Sequence, residues 1–423
     1  MLWIVGLFAV FLLGVPIAFS LGAVTLTGLL GTGLPMQVTV QQMIGGVDNF
    51  AFIAIPLFIL AGNLMAVGGI SKRITDFSES LVGHWPGGLG MVAIVASMIF
   101  AAVTGSAIAA TAAIGALLIS EMLSKGYSAP YAASLVATSG SIGPIIPPSI
   151  PLVVYGVIVS SSIAKLFMGG MIPGLLMGFF LMLANWLISR RRGYVGRAKR
   201  ASFKELRQGF KDALLALIMP VIIVGGIVGG VFTPTESASV AVAYSLVLGG
   251  LVYRELSWKS IWEAFVSAAV TNGVILTVLM TARLFIWFMT VQMIPQSIAA
   301  ALLSVIHTKW GALLVMNVIL LIAGTFIDTT SAITIFVPLF LPLVKTFGID
   351  LVHFGVVVAV NLTIGMCTPP LGVCLFVSCE IAKTSLREMF KDLMIMLIPL
   401  LAVLLLTTYV PSLVLWLPNA LGL

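Results

Sequence analysis

Two kinds of segment in this chain place oxygen and amide groups inside otherwise apolar sequence. Gly105-Ser106-Ala107-Ile108-Ala109-Ala110-Thr111 and Gly324-Thr325-Phe326-Ile327-Asp328-Thr329-Thr330 share a G-[ST]-x-I-x-x-T pattern, 219 positions apart (324 − 105 = 219). Ser141-Ile142-Gly143-Pro144-Ile145-Ile146-Pro147-Pro148 returns as Thr363-Ile364-Gly365-Met366-Cys367-Thr368-Pro369-Pro370, 222 positions later (363 − 141 = 222). Neighbouring prolines remove donors and clash with earlier carbonyls, so each pair breaks its helix. Freed carbonyls and hydroxyls are hard oxygen ligands for a cation, while half-helix N-termini offer amide donors to an anion. This chemistry suits a Na⁺ ion held mainly by carbonyls beside a carboxylate. Small residues that merely tighten helix packing are the competing account of any one cluster. Four clusters in paired positions favour ligands.

Asp328 is the acidic residue singled out. A carboxylate within the membrane costs about 2.5–3.5 kcal/mol on insertion scales, so it needs a purpose. Binding or proton relay is one, and capping the helix that follows is another. In the pattern above its counterpart is Ala109, which makes the two sites unequal. Thr329, Thr330 and Thr111 share these segments as candidate cargo contacts. Arg283 lies deep in an apolar span and is a candidate partner for Asp328 or for a cargo carboxylate, with snorkelling or an interhelical ion pair as alternatives. Ser160, Ser161 and Ser162 end the first broken span, with Glu380 in the matching region of the second half. They are candidate pathway residues. Glu236, in Thr233-Pro234-Thr235-Glu236-Ser237, reads as a first-turn acid at a helix start. His84, His307 and His353 are scattered, and no nucleophile–base pairing is visible, so an enzyme is not indicated.

The elements that hold these residues must be membrane helices. Of 423 residues, 60% are hydrophobic and only 8% charged, against about 25% charged in soluble proteins. A span needs roughly 20 apolar residues, so the chain has room for about ten to twelve. The opening run from Leu2 to Leu34 lacks a basic n-region and reads as mature structure. Net charge is +7, and nine basic residues from Arg190 to Lys211 form one membrane-surface clamp that stays cytoplasmic, with no nucleic acid implied. Cys367, Cys374 and Cys379 read as packing residues rather than a metal or redox site.

Candidate spans cover about 3–15, 17–31, 52–69, 127–159 and 163–188 in the first half. In the second they cover 213–232, 237–253, 265–293, 351–379 and 390–417. Residues 88–123 and 312–343 are apolar runs interrupted at their centres, with arms of about 15 residues. Such arms are too short to cross comfortably, and the runs read as re-entrant helical hairpins. The predicted fold is therefore an all-α integral membrane protein of two repeats. The first is 1–189 (hairpin 88–123, broken helix 127–159), the second 213–423 (hairpin 312–343, broken helix 351–379), and 190–212 is a basic cytoplasmic linker. Five crossings per half and the basic flanks place the repeats in inverted orientation. The stretch Trp258–Glu263 reads as an interfacial amphipathic segment, and so does Lys72–Leu81.

The chain resembles the large membrane subunit of the TRAP (tripartite ATP-independent periplasmic) transporters over nearly its whole length. The carriers are Ile55–Gly62, Gly105-Ser106-Ala107, Ser141–Ser149, Gly230–Ala238, and the Asp328 and Pro369-Pro370 regions. The resemblance implies an elevator-type, Na⁺-driven importer of an organic acid in the bacterial inner membrane, with a moving domain of hairpins and broken helices on a static scaffold. It implies a periplasmic substrate-binding protein and a smaller four-helix membrane subunit, here separate because the chain begins directly with a large-subunit-like helix. One Na⁺ site would lie where Gly105 and Ser106 meet Gly143, Ile146 and Ser149, and another where Gly324 and Thr325 meet Gly365, Thr368 and Leu371. Dicarboxylates, sialic acids and sugar acids are all within the family's range. The competing functions are a stand-alone Na⁺/dicarboxylate symporter and, from another class, a passive anion channel.

Overall fold

The computed structural model describes residues 2–423. Every regular element among them is helical: α1 (Leu2–Leu12), α2 (Ile17–Thr32), α3 (Gln37–Gly45), α4 (Ala54–Val67), α5 (Ile70–Val82), α6 (Gly88–Thr104), α7 (Ala107–Ser124), α8 (Ala129–Gly140), α9 (Ile150–Val159) and α10 (Ile163–Arg192). There follow α11 (Phe203–Val228), α12 (Pro234–Val247), α13 (Trp258–Val291), α14 (Ile294–Leu303), α15 (Lys309–Phe326), α16 (Thr329–Thr346), α17 (Leu351–Gly365), α18 (Val373–Ala382), α19 (Leu386–Tyr409) and α20 (Ser412–Ala420). Among the described residues, nine helices are long and apolar enough to cross a membrane.

Local chemistry sets the boundaries. Ser202 with Glu205, Thr233 with Glu236, and Ser385 with Glu388 close capping boxes at the starts of α11, α12 and α19. Each satisfies two backbone donors that would otherwise be orphaned. Glu236 is thus structural. Pro16 lies between α1 and α2, and Val410-Pro411 ends α19 short of the 390–417 span.

Three sequence expectations change. Trp258–Glu263 is not a separate interfacial segment but the first turns of α13, a continuous helix of 34 residues. A Ser257 cap starts that helix, and nothing between Glu263 and the apolar run stops it. The basic stretch 190–212 is helical at both ends, since α10 runs to Arg192 and α11 begins at Phe203. The hairpin arms are 17 residues in α6 and 18 in each of α7, α15 and α16, longer than the arms of about 15 read from hydropathy. Polar residues near the tips interrupt apolarity without interrupting the helix.

The two halves interlock. After its break, α9 packs on α16 of the second hairpin, and α18 packs on α7 of the first hairpin and on α8. Tyr155 on α9 donates to the Leu351 carbonyl at 2.6 Å. Neither half therefore buries its apolar surface alone, and one core cluster runs through both. On the rim, Arg192 pairs with Asp392 through both guanidinium nitrogens, tying α10 to α19. Against this body lie α4, which touches α6 and α7, and α13, which touches α16; α4 in turn packs on α12 and α13, and α2 on α13.

Candidate functional site

The hairpin tips and the helix breaks come together in two places. The first tip is the turn between α6 and α7. Gly105 closes α6 with φ +61°, a left-handed conformation that glycine adopts without steric cost. Ser106 caps α7, accepting from Ala109 N at 3.3 Å. Between α8 and α9 the chain runs irregularly through a cis Pro147-Pro148 bond to Ser149, the cap of α9. A Cβ on Gly105 would sit 2.5 Å from the Pro148 carbonyl oxygen, and one on Gly143 would sit 2.9 Å from the Ser106 carbonyl. Ser149 donates to the Pro144 carbonyl and accepts from Leu152 N at 3.2 Å. Ile146 is buried in the same break. Gly105, Ser106, Gly143, Ile146 and Ser149 thus belong to one junction of tip and break.

The second junction is built differently. Gly324 and Gly365 are in backbone contact, and a Cβ on Gly365 would lie 2.6 Å from Gly324 Cα. The Thr325 carbonyl accepts from Gly372 N at 3.3 Å. Thr325 Oγ1 donates to the Ile322 carbonyl at 2.7 Å, and Thr368 Oγ1 to the Ile364 carbonyl at 2.8 Å. Leu371, by contrast, turns its side chain outward at 43% exposure, leaving its backbone at the break. Here the break meets the last turns of the first arm, whereas the first break meets the turn itself.

The structure also changes the repeat register at the tips. Both α7 and α16 begin and end 222 positions apart, as do their caps Ser106 and Asp328 (328 − 106 = 222). The two cis prolyl bonds keep the same interval. The 219-residue alignment of the G-[ST]-x-I-x-x-T pattern is therefore not the helix register, and Asp328 corresponds to Ser106 rather than to Ala109. A short pattern of small residues recurs easily by chance one helical turn away, and the caps decide between the alternatives.

Both tips open on one cavity of about 570 Å³. Thr104, Gly105, Ser106, Ala107, Ile108, Ala109 and Ala112 line one side, and Asp328, Thr329, Thr330 and Ser331 another. Pro144, Ile150, Pro151 and Met366 come from the breaks, and α4 and α13 close the far wall with Asn63, Ser267 and Thr271 among apolar residues. Asp328 is exposed to this space while capping α16, with Ser331 N donating to one oxygen at 3.0 Å and the Ser331 hydroxyl to the other. Thr329 donates to Met366 Sδ at 3.1 Å. The carboxylate is therefore both a cap and a cavity wall, which lowers the cost of placing it there.

Four cargo candidates lie outside the cavity. Thr111 is buried toward α8, donating to the Ala107 carbonyl at 2.8 Å and packed on Gly140. Arg283 is exposed on α13 beyond Val278, beside Gly46, and makes no ion pair among the described residues, Asp328 included. It is not among the residues that line the cavity. Ser161 and Ser162 follow the far end of α9, about 15 Å along the helix axis from Ile150, and Ser162 caps α10 by accepting from Lys165 N at 3.3 Å. Sequence reasoning missed Asn63, Ser267, Thr271 and Ser331. Asn63 and the i, i+4 pair Ser267/Thr271 were visible as polar residues within apolar spans, but not which way those helices turn.

A profile of the family described as "Tripartite ATP-independent periplasmic transporter, DctM component" matches residues 4–413. This chain belongs to that family. It is 43% identical over 409 residues to the isethionate TRAP transporter permease protein DctMQ of Oleidesulfovibrio alaskensis, covering 96% of this chain and 64% of that longer one. With the C4-dicarboxylate TRAP transporter large permease protein DctM of Rhodobacter capsulatus it shares 36% identity, covering 99% and 98% of the two chains. With the sialic acid large permease SiaM of Vibrio cholerae it shares 40% identity, covering 99% and 97%. The fold is similar to that of the YdaH transporter of Alcanivorax borkumensis, at TM-score 0.62 over 91% of this chain and 89% of that one, with 14% identity. A TRAP large permease is a multi-pass transporter component, not an enzyme.

Proposed function

We propose that this TRAP large permease imports an organic acid through the bacterial inner membrane, driven by a Na⁺ gradient. A periplasmic substrate-binding protein delivers the cargo, and a separate four-helix membrane subunit braces the scaffold. Na⁺ is cargo too, held at the two junctions of tip and break by carbonyl and hydroxyl oxygens, while the organic anion occupies the cavity between the tips. The observation that carries this reading is that both tips line one cavity and each hairpin rests on a broken helix. The recurrence of α7 as α16, and of the start of α8 as the start of α17, at one interval supports two repeats. With the basic residues from Arg190 to Lys211 held cytoplasmic, the repeats are inverted and the hairpins re-entrant. The elevator motion is the sliding of the interlocked body of hairpins and broken helices against the α4–α12–α13 wall. Related permeases are named for isethionate, C4-dicarboxylates and sialic acid, which supports a small organic acid as the cargo.

The test is uptake into proteoliposomes carrying this chain with its small subunit, in the presence of the binding protein. Accumulation should require an inward Na⁺ gradient, proceed without ATP, and stop when the gradient is dissipated. Accumulation that persists in a Na⁺-free medium defeats the proposal.

A further inference from the structure

Away from the cavity, three polar side chains meet inside the second half. Asn361 Nδ2 on α17 donates to the Asn317 carbonyl at 2.9 Å and to Asn317 Oδ1 at 2.8 Å. Asn317 Nδ2 on α15 donates to Thr408 Oγ1 on α19 at 2.9 Å, and that hydroxyl donates to the Leu404 carbonyl at 2.8 Å. All three residues are buried. The cluster is not the most stable filling of this space, because Asn361 Oδ1 is buried with no hydrogen-bond partner.

Its place in the fold points to the second junction. Asn361 stands one helical turn before Gly365, and Asn317 two turns before Gly324, so the amides and the glycine contact lie on one seam between α15 and α17. Two bonds from one amide to one residue fix both the height and the rotation of α17 against α15. The break here meets the arm itself, so a slip of the arm is felt at once by the Leu362 and Thr325 carbonyls. The first repeat has no such clamp. Val95 and Ser139 stand 222 positions earlier (317 − 95 = 222; 361 − 139 = 222). Ser139 donates within its own helix, to the Leu135 carbonyl at 2.6 Å, and among the described residues no side-chain hydrogen bond joins α6 to α8. There the glycine turn sits directly on the break.

We propose that Asn361 and Asn317 are positioning residues for the ion held at the second junction, an inference that rests on the Na⁺-coupled reading above. They hold arm and broken helix in the register at which the oxygens of the junction converge, as the outer partners of a metal site hold its ligands. Loss of such a partner costs about 10–100-fold in ion affinity.

The experiment uses Na⁺ itself as the probe, on the purified permease with its small subunit. Thermal unfolding is followed as Na⁺ replaces choline at constant ionic strength, and half-saturation is read from the rise in Tm. The double variant Asn317→Leu/Asn361→Leu keeps both branched shapes and removes both amides. Replacing both partners by apolar groups is nearly neutral for stability. Its Tm in choline should therefore stay close to that of the unaltered protein, while half-saturating Na⁺ rises about tenfold or more. Thr408→Val removes only the outer link and should raise it about threefold. Ser139→Ala, at the matching place in the first repeat, should leave it unchanged. A lowered Tm in choline with unchanged half-saturation means that the amides only pack helices together, and overturns the inference. Should the double variant fail to fold, Thr408→Val decides, and an unshifted half-saturation there overturns the inference equally. So does a shift in Ser139→Ala as large as that of the clamp variants. An unaltered protein that Na⁺ stabilises no more than choline does overturns Na⁺ coupling and this inference together. Stabilisation by Na⁺ that the clamp variants leave unshifted overturns this inference alone.

Discussion

The two hairpin tips share a register and differ in chemistry. The first is a glycine turn with a neutral cap, Gly105-Ser106, pressed against the Pro148 carbonyl. The second is Ile327-Asp328, with no glycine in the turn and a charged cap, and its close backbone contact lies back in the arm at Gly324. The second arms of the two hairpins, α7 and α16, and their caps recur at one interval, so this part of the two junctions shares its scaffold. The divergence lies in the turn, in where tip and break touch, and in the side chains that see the cavity. In a duplicated architecture, packing holds the backbone in place while the exposed turn is free to acquire charge on one side only.

The comparison can be broken most sharply at the glycines. Gly105→Ala places a side chain on a left-handed residue and within 2.5 Å of Pro148 O. These two penalties together cost about 2–4 kcal/mol. Thermal unfolding of the purified protein should show that loss, and uptake should vanish. Gly365→Ala meets only the packing penalty, about 1–3 kcal/mol, and should be the milder of the two. If Gly365→Ala is the more damaging, the tip turn is not the tighter junction.

Asp328→Ala removes a cap and a cavity carboxylate together. Uptake should be abolished with expression intact, at a stability cost of about 0.5–2 kcal/mol. Ser106→Ala carries the same capping cost but leaves the cavity charge unaltered. It should retain uptake with a higher Na⁺ requirement. Equal defects in both variants would mean that the caps matter only as caps. The smallest effect is expected for Thr368→Ala, which forfeits a hydroxyl at the second junction. Half-activation by Na⁺ should rise about fivefold, the worth of one hydrogen bond, with little change in thermal stability. Wild-type Na⁺ dependence there would remove Thr368 from the ion site.

Much of the site was legible because membranes penalise its ingredients. Adjacent prolines, glycine–hydroxyl turns and an acid stand out inside apolar runs, and each marks a place where a helix stops. Asp328, Thr329, Thr330, Gly105 and Ser106 were found that way and do meet at the cavity. The same signal also picked out Arg283, Thr111, Ser161 and Ser162, which do not line this cavity. A polar residue in an apolar span announces that it is costly, not where its helix turns it. The tip register failed for a related reason, because a seven-residue pattern of small residues cannot distinguish a cap from a residue three positions later.

Composition, paired prolines and family resemblance are local or additive properties, so the sequence by itself determined a multi-pass TRAP permease with two broken helices and two candidate junctions. The crossing of α9 onto the second hairpin and of α18 onto the first, the far wall of Asn63, Ser267 and Thr271, and the pairing of Ser106 with Asp328 were decided only in three dimensions. These depend on the rotation of each helix about its own axis. With hydrophobic residues all around a membrane helix, no apolar stripe records that rotation, and only packing against neighbours sets it.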